Sequence, residues 1–150
     1  MSIKTILESQ LLEAMKNKNE TEKTAIRTTL SSIKLAEVEK GQPLDDLAII
    51  GILQKEIKIR KEAINDAKNN QREDLVQIAE DELSVLERLL PDQLSEAELR
   101  AMIKEVITQL NANSITDTGK VMKTLVQKVA GRAPNDVISQ IVKDILSGSP

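Results

Sequence analysis

The sequence predicts an all-α protein, with an N-terminal antiparallel helical bundle over residues 1–91 followed by a small three-helix domain over residues 92–150. Two observations predict this fold class. Apolar residues recur at the helical period in nearly every segment, and the five glycines and four prolines fall between those segments. Long amphipathic segments joined by short polar links are typical of antiparallel helices packed as a bundle.

The first two helices are bounded by polar breaks and by a glycine. The first helix begins after Ser2 and runs to the polar break "NKNE". The second runs from about Glu20 to Lys40 and stops at Gly41, because glycine readily adopts the left-handed conformation that ends many helices.

The third and fourth helices are separated by the polar link "NNQ". The stretch "GQPLDDL" places Pro43 and two acidic residues at the start of the third helix, where a fixed φ and negative charge suit the exposed N–H groups. This helix extends to about Lys68, and the leucine-rich fourth helix ends at Pro91.

The stretch "LPDQLSEAEL" marks the boundary between the two domains. Pro91 disfavours helical geometry at Leu90, and Ser95 with Glu98 three residues later predicts a capping box that opens the fifth helix. A sixth helix follows "NANSITD" and a seventh follows "GRAPND", which completes the small C-terminal domain.

The composition excludes several classes of catalytic and binding site. The chain has no cysteine, histidine or aromatic residue, which rules out disulfides, thiolate nucleophiles, Ser-His pairs, and zinc sites built on sulfur or imidazole. We therefore expect no catalytic residue, no bound metal and no cofactor. No apolar run approaches the roughly 20 residues that span a bilayer and no secretory pattern is visible, so we expect a cytoplasmic protein without a membrane contact.

The missing aromatic residues also limit how the chain can bind nucleic acid. Without Phe, Tyr or Trp, bases cannot be stacked on the protein surface. Any bound nucleic acid must be held through its phosphates and its shape, which favours a folded RNA. The net charge of −3 argues against a broad basic surface but leaves room for a local one.

The stretch "DTGKVMKTL" at residues 117–125 contains a Gly-Lys pair that is compatible with either a phosphate site or a helix start. A P-loop needs a glycine five residues before the pair, a Ser or Thr after the lysine, and a preceding strand. Those two positions hold Ser114 and Val121, and no strand is predicted. We therefore interpret the stretch as the start of a helix.

This sixth helix is predicted to have one apolar face, with Val121, Leu125 and Val129, and one basic face. Between residues 111 and 135 four cations accompany one acid, Asp117. A solvated surface and an anion site at the free N–H groups around Thr118 and Gly119 both fit this pattern, and the glycine can serve ligand approach or helix packing. The candidate binding residues are Gly119, Lys120, Lys123, Lys128 and Arg132.

Two further charged stretches are interpreted as solvated surfaces. In "QKEIKIRKEAI", cations alternate with acids in a pattern that favours ion pairs along a helix surface. The run "EDE" at residues 80–82 is typical of a solvated helix face. The cations of the first stretch are Lys55, Lys58, Arg60 and Lys61, and its acids are Glu56 and Glu62.

Five segments in order resemble the YqeY family, which is related to the tail domain of GatB, a component of the glutamine-dependent tRNA amidotransferase. They are "LLEAMKNKNETEKTAIRTTLSSIKLAEVEKG", "LQKEIKIRKEAINDAKNNQREDL", "LERLLPDQLSEAEL", "GKVMKTL" and "GRAPNDVISQIVKDIL". The resemblance implies two helical domains, and in the amidotransferase the similar tail domain contacts tRNA. It implies that "GKVMKTLVQKVAGRA" faces nucleic acid. The sequence departs from the family at "PND", residues 134–136, where small residues are expected.

Two hypotheses follow for the function. The first is a non-catalytic tRNA-binding or tRNA-amidotransferase-related accessory protein, in which Lys120, Lys123 and Lys128 contact phosphates and Arg132 extends the surface. The second is a helical protein-interaction module, with a partner in the translation machinery. A stand-alone amidotransferase needs a glutaminase and a nucleotide-binding amidating site, and neither is visible in the sequence.

Overall fold

The computed structural model describes residues 2–148 and contains seven α-helices and one 3₁₀ helix in that range. No strand occurs among these residues, so the predicted all-α class is confirmed. The chain divides into two compact units, Met1–Leu90 and Pro91–Pro150. The α-helices are α1 (Ile3–Lys16), α2 (Glu20–Lys40), α3 (Asp46–Asn69), α4 (Glu73–Glu87), α5 (Glu96–Gln109), α6 (Thr118–Val129) and α7 (Asn135–Leu146), and the 3₁₀ helix is Ile115–Asp117.

The first unit is built from α1 to α4. Helix α3 packs along α4, and α2 packs against both α1 and α4. Their inward faces form one aliphatic core, which contributes the hydrophobic stabilisation of this unit. The buried residues of this core are Leu7, Ala25, Ile26, Ile33, Ile49, Leu53, Ile57, Val85 and Leu86.

Local capping residues set the ends of α1 and α2 where the sequence predicted them. The Ser2 hydroxyl accepts the backbone N–H of Thr5 at 3.2 Å, so α1 begins directly after Ser2. Gly41 has a φ of 71° and ends α2 at Lys40.

Helix α3 begins later than the sequence suggested. The Asp45 carboxylate accepts the N–H of Ala48 at 2.9 Å and caps the helix, so Pro43 lies before α3 and not in its first turn.

Gly51 lies inside α3, which corrects the expectation that every glycine falls between segments. A Cβ at Gly51 would meet no atom within 4 Å.

Helix α4 ends earlier than predicted, at Glu87 instead of Pro91. Leu89 and Leu90 have left the helix but still pack against the core of the first unit. Pro91 restricts the residue before it to extended geometry, which explains why the helix cannot continue to the proline.

A buried charge cluster joins α2, α3 and α4, contrary to the prediction that Glu56 and Arg60 pair on an exposed surface. Arg60 Nη1 donates to Glu56 Oε2 at 2.6 Å, and Arg60 Nη2 lies 3.7 Å from Glu82 Oε1. The Ser32 hydroxyl donates to Glu56 Oε1 at 3.0 Å. Both Glu56 and Arg60 are buried, because α2 and α4 cover this face of α3.

The second unit is built from α5, α6 and α7 around its own aliphatic core. Ser95 caps α5 by accepting the N–H of Glu98 at 3.1 Å, and its hydroxyl also contacts the Glu98 carboxylate at 2.9 Å. The residues predicted to form a capping box therefore do cap this helix. The buried core residues are Leu99, Ile103, Val106, Val121, Leu125, Val129, Ala133, Ile138, Ile141 and Val142.

The turn between α6 and α7 reverses the chain within five residues and holds the start of the second unit. Ala130 and Gly131 have φ values of 50° and 82°, and the Arg132 carbonyl accepts the N–H of Leu94 at 2.8 Å. Pro134 is the N-cap of α7, so the helix begins at Asn135, earlier than the sequence predicted. The unusual "PND" stretch therefore forms the cap and first turn of α7, where an acidic residue is favourable.

Arg60→Ala is expected to lower the free energy of unfolding by about 3–5 kcal/mol, because it leaves the buried carboxylate of Glu56 without its cation. Lys61→Ala is the matched control, since this neighbouring cation is exposed and should change stability by no more than about 0.5 kcal/mol. Chemical denaturation of both variants measures the difference. Similar losses in the two variants would contradict a structural role for the buried cluster.

Candidate nucleic-acid interface

Helix α6 separates apolar and basic residues cleanly onto two faces, as predicted. Val121, Leu125 and Val129 are buried in the core of the second unit. The polar face is exposed along the whole helix. It carries Lys120, Lys123, Thr124, Gln127 and Lys128. The apolar stripe therefore fixes the rotation of α6, and this rotation turns the lysines toward solvent.

The first residue of α6, Thr118, is already engaged in protein hydrogen bonds. The 3₁₀ helix runs directly into α6, and the backbone N–H and hydroxyl of Thr118 both donate to the carbonyl of Ile115. The N–H of Thr118 is therefore not free for an anion, contrary to the sequence-based interpretation. The carboxylate of Asp117 also stands at this end of the helix and would repel a negative ligand.

Asp117 has a structural role in the loop before α6. Its Oδ2 accepts the N–H groups of Asn113 and Ser114 at 3.0 and 3.3 Å. These hydrogen bonds hold the pKa of the Asp117 carboxyl below its usual value. The single acid among the four cations therefore organises the loop that leads into the basic helix.

Lys120 connects the first turn of α6 to the end of α5. Its Nζ donates to the carbonyl of Leu110, the C-cap residue of α5, at 3.0 Å. A cation at this position satisfies a free carbonyl and interacts favourably with the helix dipole. An ammonium group has three donors, so Lys120 keeps two for another ligand.

Lys128 and Arg132 also contact other parts of the second unit. Lys128 Nζ lies 3.7 Å from Glu105 Oε2 on α5, an exposed ion pair that stabilises the fold little. Arg132 Nε donates to the carbonyl of Asp92 at 2.9 Å and ties the turn after α6 to the first residues of this unit. Four of the five N–H donors of its guanidinium remain for other acceptors.

Lys123 differs from the other three cations. It is exposed near the middle of the polar face and makes no hydrogen bond or ion pair within residues 2–148. Removing its charge should therefore leave the fold unchanged. Sequence patterns could not separate this lysine from its neighbours, since the partners of Lys120, Lys128 and Arg132 lie outside α6.

Gly119 lies in the first turn of α6 with open space around it. A Cβ at this position would meet no atom within 4 Å. Close helix packing therefore does not explain the glycine, which was one of the two interpretations of the sequence. Its exposed backbone leaves room for a ligand beside Lys120 and Lys123.

Comparison with known proteins shows the family to which this chain belongs. The sequence matches the family described as Yqey-like protein over residues 4–146. The chain belongs to the YqeY-like family. The resemblance seen in the sequence motifs is confirmed by this match.

Curated relatives of this YqeY-like chain come from yeasts. Altered inheritance of mitochondria protein 41, mitochondrial, of Lachancea thermotolerans is 36% identical over 112 residues, which cover 72% of this chain and 59% of the relative. The protein of the same name from Saccharomyces cerevisiae is 33% identical over 114 residues, covering 73% and 61%. The one from Vanderwaltozyma polyspora is 29% identical over 140 residues, covering 81% and 76%. The YqeY-like chain thus spans about three fifths of the first two relatives.

The names of these relatives bear on the predicted location. All three carry a mitochondrial designation, so a cytoplasmic location is not confirmed for the YqeY-like chain. Among the residues that the structure describes, no helix has the length and apolar character needed to cross a membrane.

Asp117→Asn is expected to lower the melting temperature near neutral pH, because a neutral amide accepts the two loop N–H groups less strongly than a carboxylate. The carboxylate contribution is present above the unfolded pKa and is lost as pH falls through the lowered folded pKa. The difference in melting temperature between the two proteins should therefore shrink below about pH 4. Circular dichroism melts from about pH 7 to pH 2 measure it, and a constant difference would contradict the role of the charge.

Gly119→Ala is expected to raise the free energy of unfolding by about 0.5–1 kcal/mol, since alanine favours a helix and its Cβ meets open space. Urea denaturation of the variant and the wild type provides the measurement. A loss of stability would show that the backbone of Gly119 needs a conformation that alanine resists.

Proposed function

We propose that this YqeY-like chain is a non-catalytic accessory protein that binds folded tRNA through phosphates along the polar face of α6. The observation that carries the proposal is the exposed row of Lys120, Lys123 and Lys128, held in place by a fully buried apolar stripe on the opposite side of the same helix. Lys120 and Lys128 are eight positions apart, which corresponds to about 12 Å along the helix axis. Arg132 extends this surface into the following turn.

The chemistry of this face suits phosphate contacts better than base recognition. Lysines supply point charges that neutralise phosphates, and they carry no information about sequence. The chain offers no aromatic side chain for base stacking, which disfavours a splayed single strand. A folded RNA presents its phosphates in a fixed arrangement that a rigid helix can match.

The hydrogen bonds at the start of α6 favour an anion site built from side chains over one built from backbone N–H groups. Because the N–H of Thr118 is engaged and Asp117 stands beside it, we do not assign phosphate binding to the backbone at the start of α6. The proposed binding instead uses the side chains along the helix. Lys123 is the central contact because no partner among residues 2–148 competes for it, whereas Lys120 and Arg132 bind phosphates with the donors that the fold leaves over.

The choice of tRNA rests on the resemblance to the GatB tail domain of the glutamine-dependent tRNA amidotransferase. We assign any amidotransferase activity to partner proteins, because this chain has no cysteine for a thiolate glutaminase and no visible nucleotide-binding motif. The cytoplasmic location predicted from the sequence remains a proposal and not a finding, since the yeast relatives are named as mitochondrial proteins.

Lys123→Gln is expected to weaken the binding of tRNA and to reduce the slope of log affinity against log salt concentration by about 1, because one phosphate loses its cation. The melting temperature should not change, since Lys123 has no intramolecular partner among the described residues. Fluorescence anisotropy of labelled tRNA at several salt concentrations gives affinity and slope, and circular dichroism gives stability.

Lys34→Gln is the matched control because this lysine is also exposed but lies on α2 in the first unit. It removes the same charge, so a general effect of net charge would appear in both variants. Wild-type affinity and salt slope in Lys123→Gln, and also in a variant with all four cations changed to Gln, would reject RNA binding by this face. That result would favour the alternative, a protein-interaction module.

A further inference from the structure

An open groove of about 530 Å³ runs along the hairpin formed by the second half of α3 and the first half of α4. Its lining combines small and larger apolar side chains with polar and charged ones. The alanines are Ala63, Ala67 and Ala79, and the larger apolar residues are Leu75 and Ile78. This shape leaves room for apolar side chains from another helix.

Two large apolar side chains that line the groove are exposed to solvent. Leu75 is 44% exposed and Ile78 is 54% exposed, although each lies on a helix with a buried face on its other side. Buried residues of α3 and α4 form a small cluster that is separate from the main core of the first unit. They are Ile64, Ala67, Val76 and Ala79. Ala67 and Ala79 belong to this cluster and also line the groove, so the groove lies directly beside it, and the exposed Leu75 and Ile78 add apolar surface that the described residues of this unit do not cover.

The charge on the α4 side of the groove is negative. Helix α4 contains six acidic residues and no lysine or arginine between Glu73 and Glu87. Asp66 of α3 and Glu82 of α4 both line the groove. Arg72 lines it too, but its guanidinium donates to both carboxylate oxygens of Asp74 at 3.1 and 2.9 Å.

The buried charge cluster adds to this negative character. Arg60 forms ion pairs with two carboxylates. Its Nη1 lies 2.6 Å from Glu56 Oε2, and its Nη2 lies 3.7 Å from Glu82 Oε1. The three side chains together therefore carry one more negative than positive formal charge. Because Glu82 is the member that also lines the groove, a cation placed in the groove would be attracted to it.

We propose that this groove binds a basic amphipathic helix of a partner protein. Its apolar side chains pack against the alanines, Leu75 and Ile78 of the groove, and its lysines or arginines approach Asp66 and Glu82. The segment of α4 from Leu75 to Glu82 is about 10 Å long, which matches two turns of the bound helix. This proposal does not rest on RNA binding by α6.

The charges favour this occupant over others. Nucleic acid phosphates and anionic lipid headgroups would be repelled by the acidic residues of α4. A symmetric contact between two copies of the chain would bring two acidic α4 helices together, which is unfavourable for the same reason. A basic helix satisfies both the apolar and the electrostatic character of the groove.

The test uses the full chain and a fluorescent 18-residue synthetic peptide with leucines along one helical face and lysines elsewhere. A second peptide keeps the leucines and replaces each lysine with glutamate. Anisotropy titrations should show saturable binding of the basic peptide only. Asp66→Asn should weaken this binding several-fold, because the carboxylate that lines the groove loses its charge.

The decisive variant is Ile78→Asn, which removes apolar contact area without changing the charge. It should weaken binding of the basic peptide by roughly tenfold or more. Val38→Asn is the matched control, since Val38 is 70% exposed on α2 and does not line the groove, and it should bind like the wild type. Leu75→Asn provides a second groove variant, and circular dichroism confirms that each variant is folded.

Three outcomes would overturn the proposal. The first is that neither peptide binds saturably. The second is equal binding of the basic peptide to wild type, Ile78→Asn and Leu75→Asn, which would show attraction by charge alone. The third is a dimer in sedimentation experiments that Ile78→Asn dissociates, which would assign the groove to a second copy of the chain.

Discussion

The constraint on which this structure depends is that both cores must be built from aliphatic side chains alone. Every buried hydrophobic residue in the described part of the chain is Leu, Ile, Val or Ala, because the sequence contains no aromatic residue. Such side chains contribute through the apolar area they remove from water, so each helix must bury a continuous stripe. The stripe then fixes the rotation of each helix, and with it the direction in which the charged residues point.

The basic face of α6 shows how this constraint links stability to binding. The burial of Val121 and Leu125 turns the lysines outward, but two of the cations on this surface also hold the second unit together. Lys120 caps α5, and Arg132 holds the chain at Asp92. A fixed cation loses less side-chain entropy on binding a phosphate than a mobile one, so the structural contacts pre-organise the surface for an anionic partner.

The two units carry surfaces of opposite charge, and this difference would separate the partners that we propose for each. The α3–α4 hairpin is acidic and apolar, which suits a basic helix. The polar face of α6 is basic and lacks apolar residues, which suits phosphates. Because like charges at an interface cost free energy, each surface also excludes the partner of the other. An accessory protein that joins an RNA to a protein would need such a separation.

Local sequence was sufficient to predict the helices but not the contacts between them. The capping by Ser95 and the stop at Gly41 depend on residues within one turn, and for this reason the sequence by itself determined the helical class and most helix ends. The burial of Arg60 and the contact of Lys120 with Leu110 involve separate helices, and helical periodicity holds no information about which helices meet. Only the tertiary structure decided which cations are held within the fold and which, like Lys123, contact no partner among the described residues, because that choice follows from the distances between helices packed against each other.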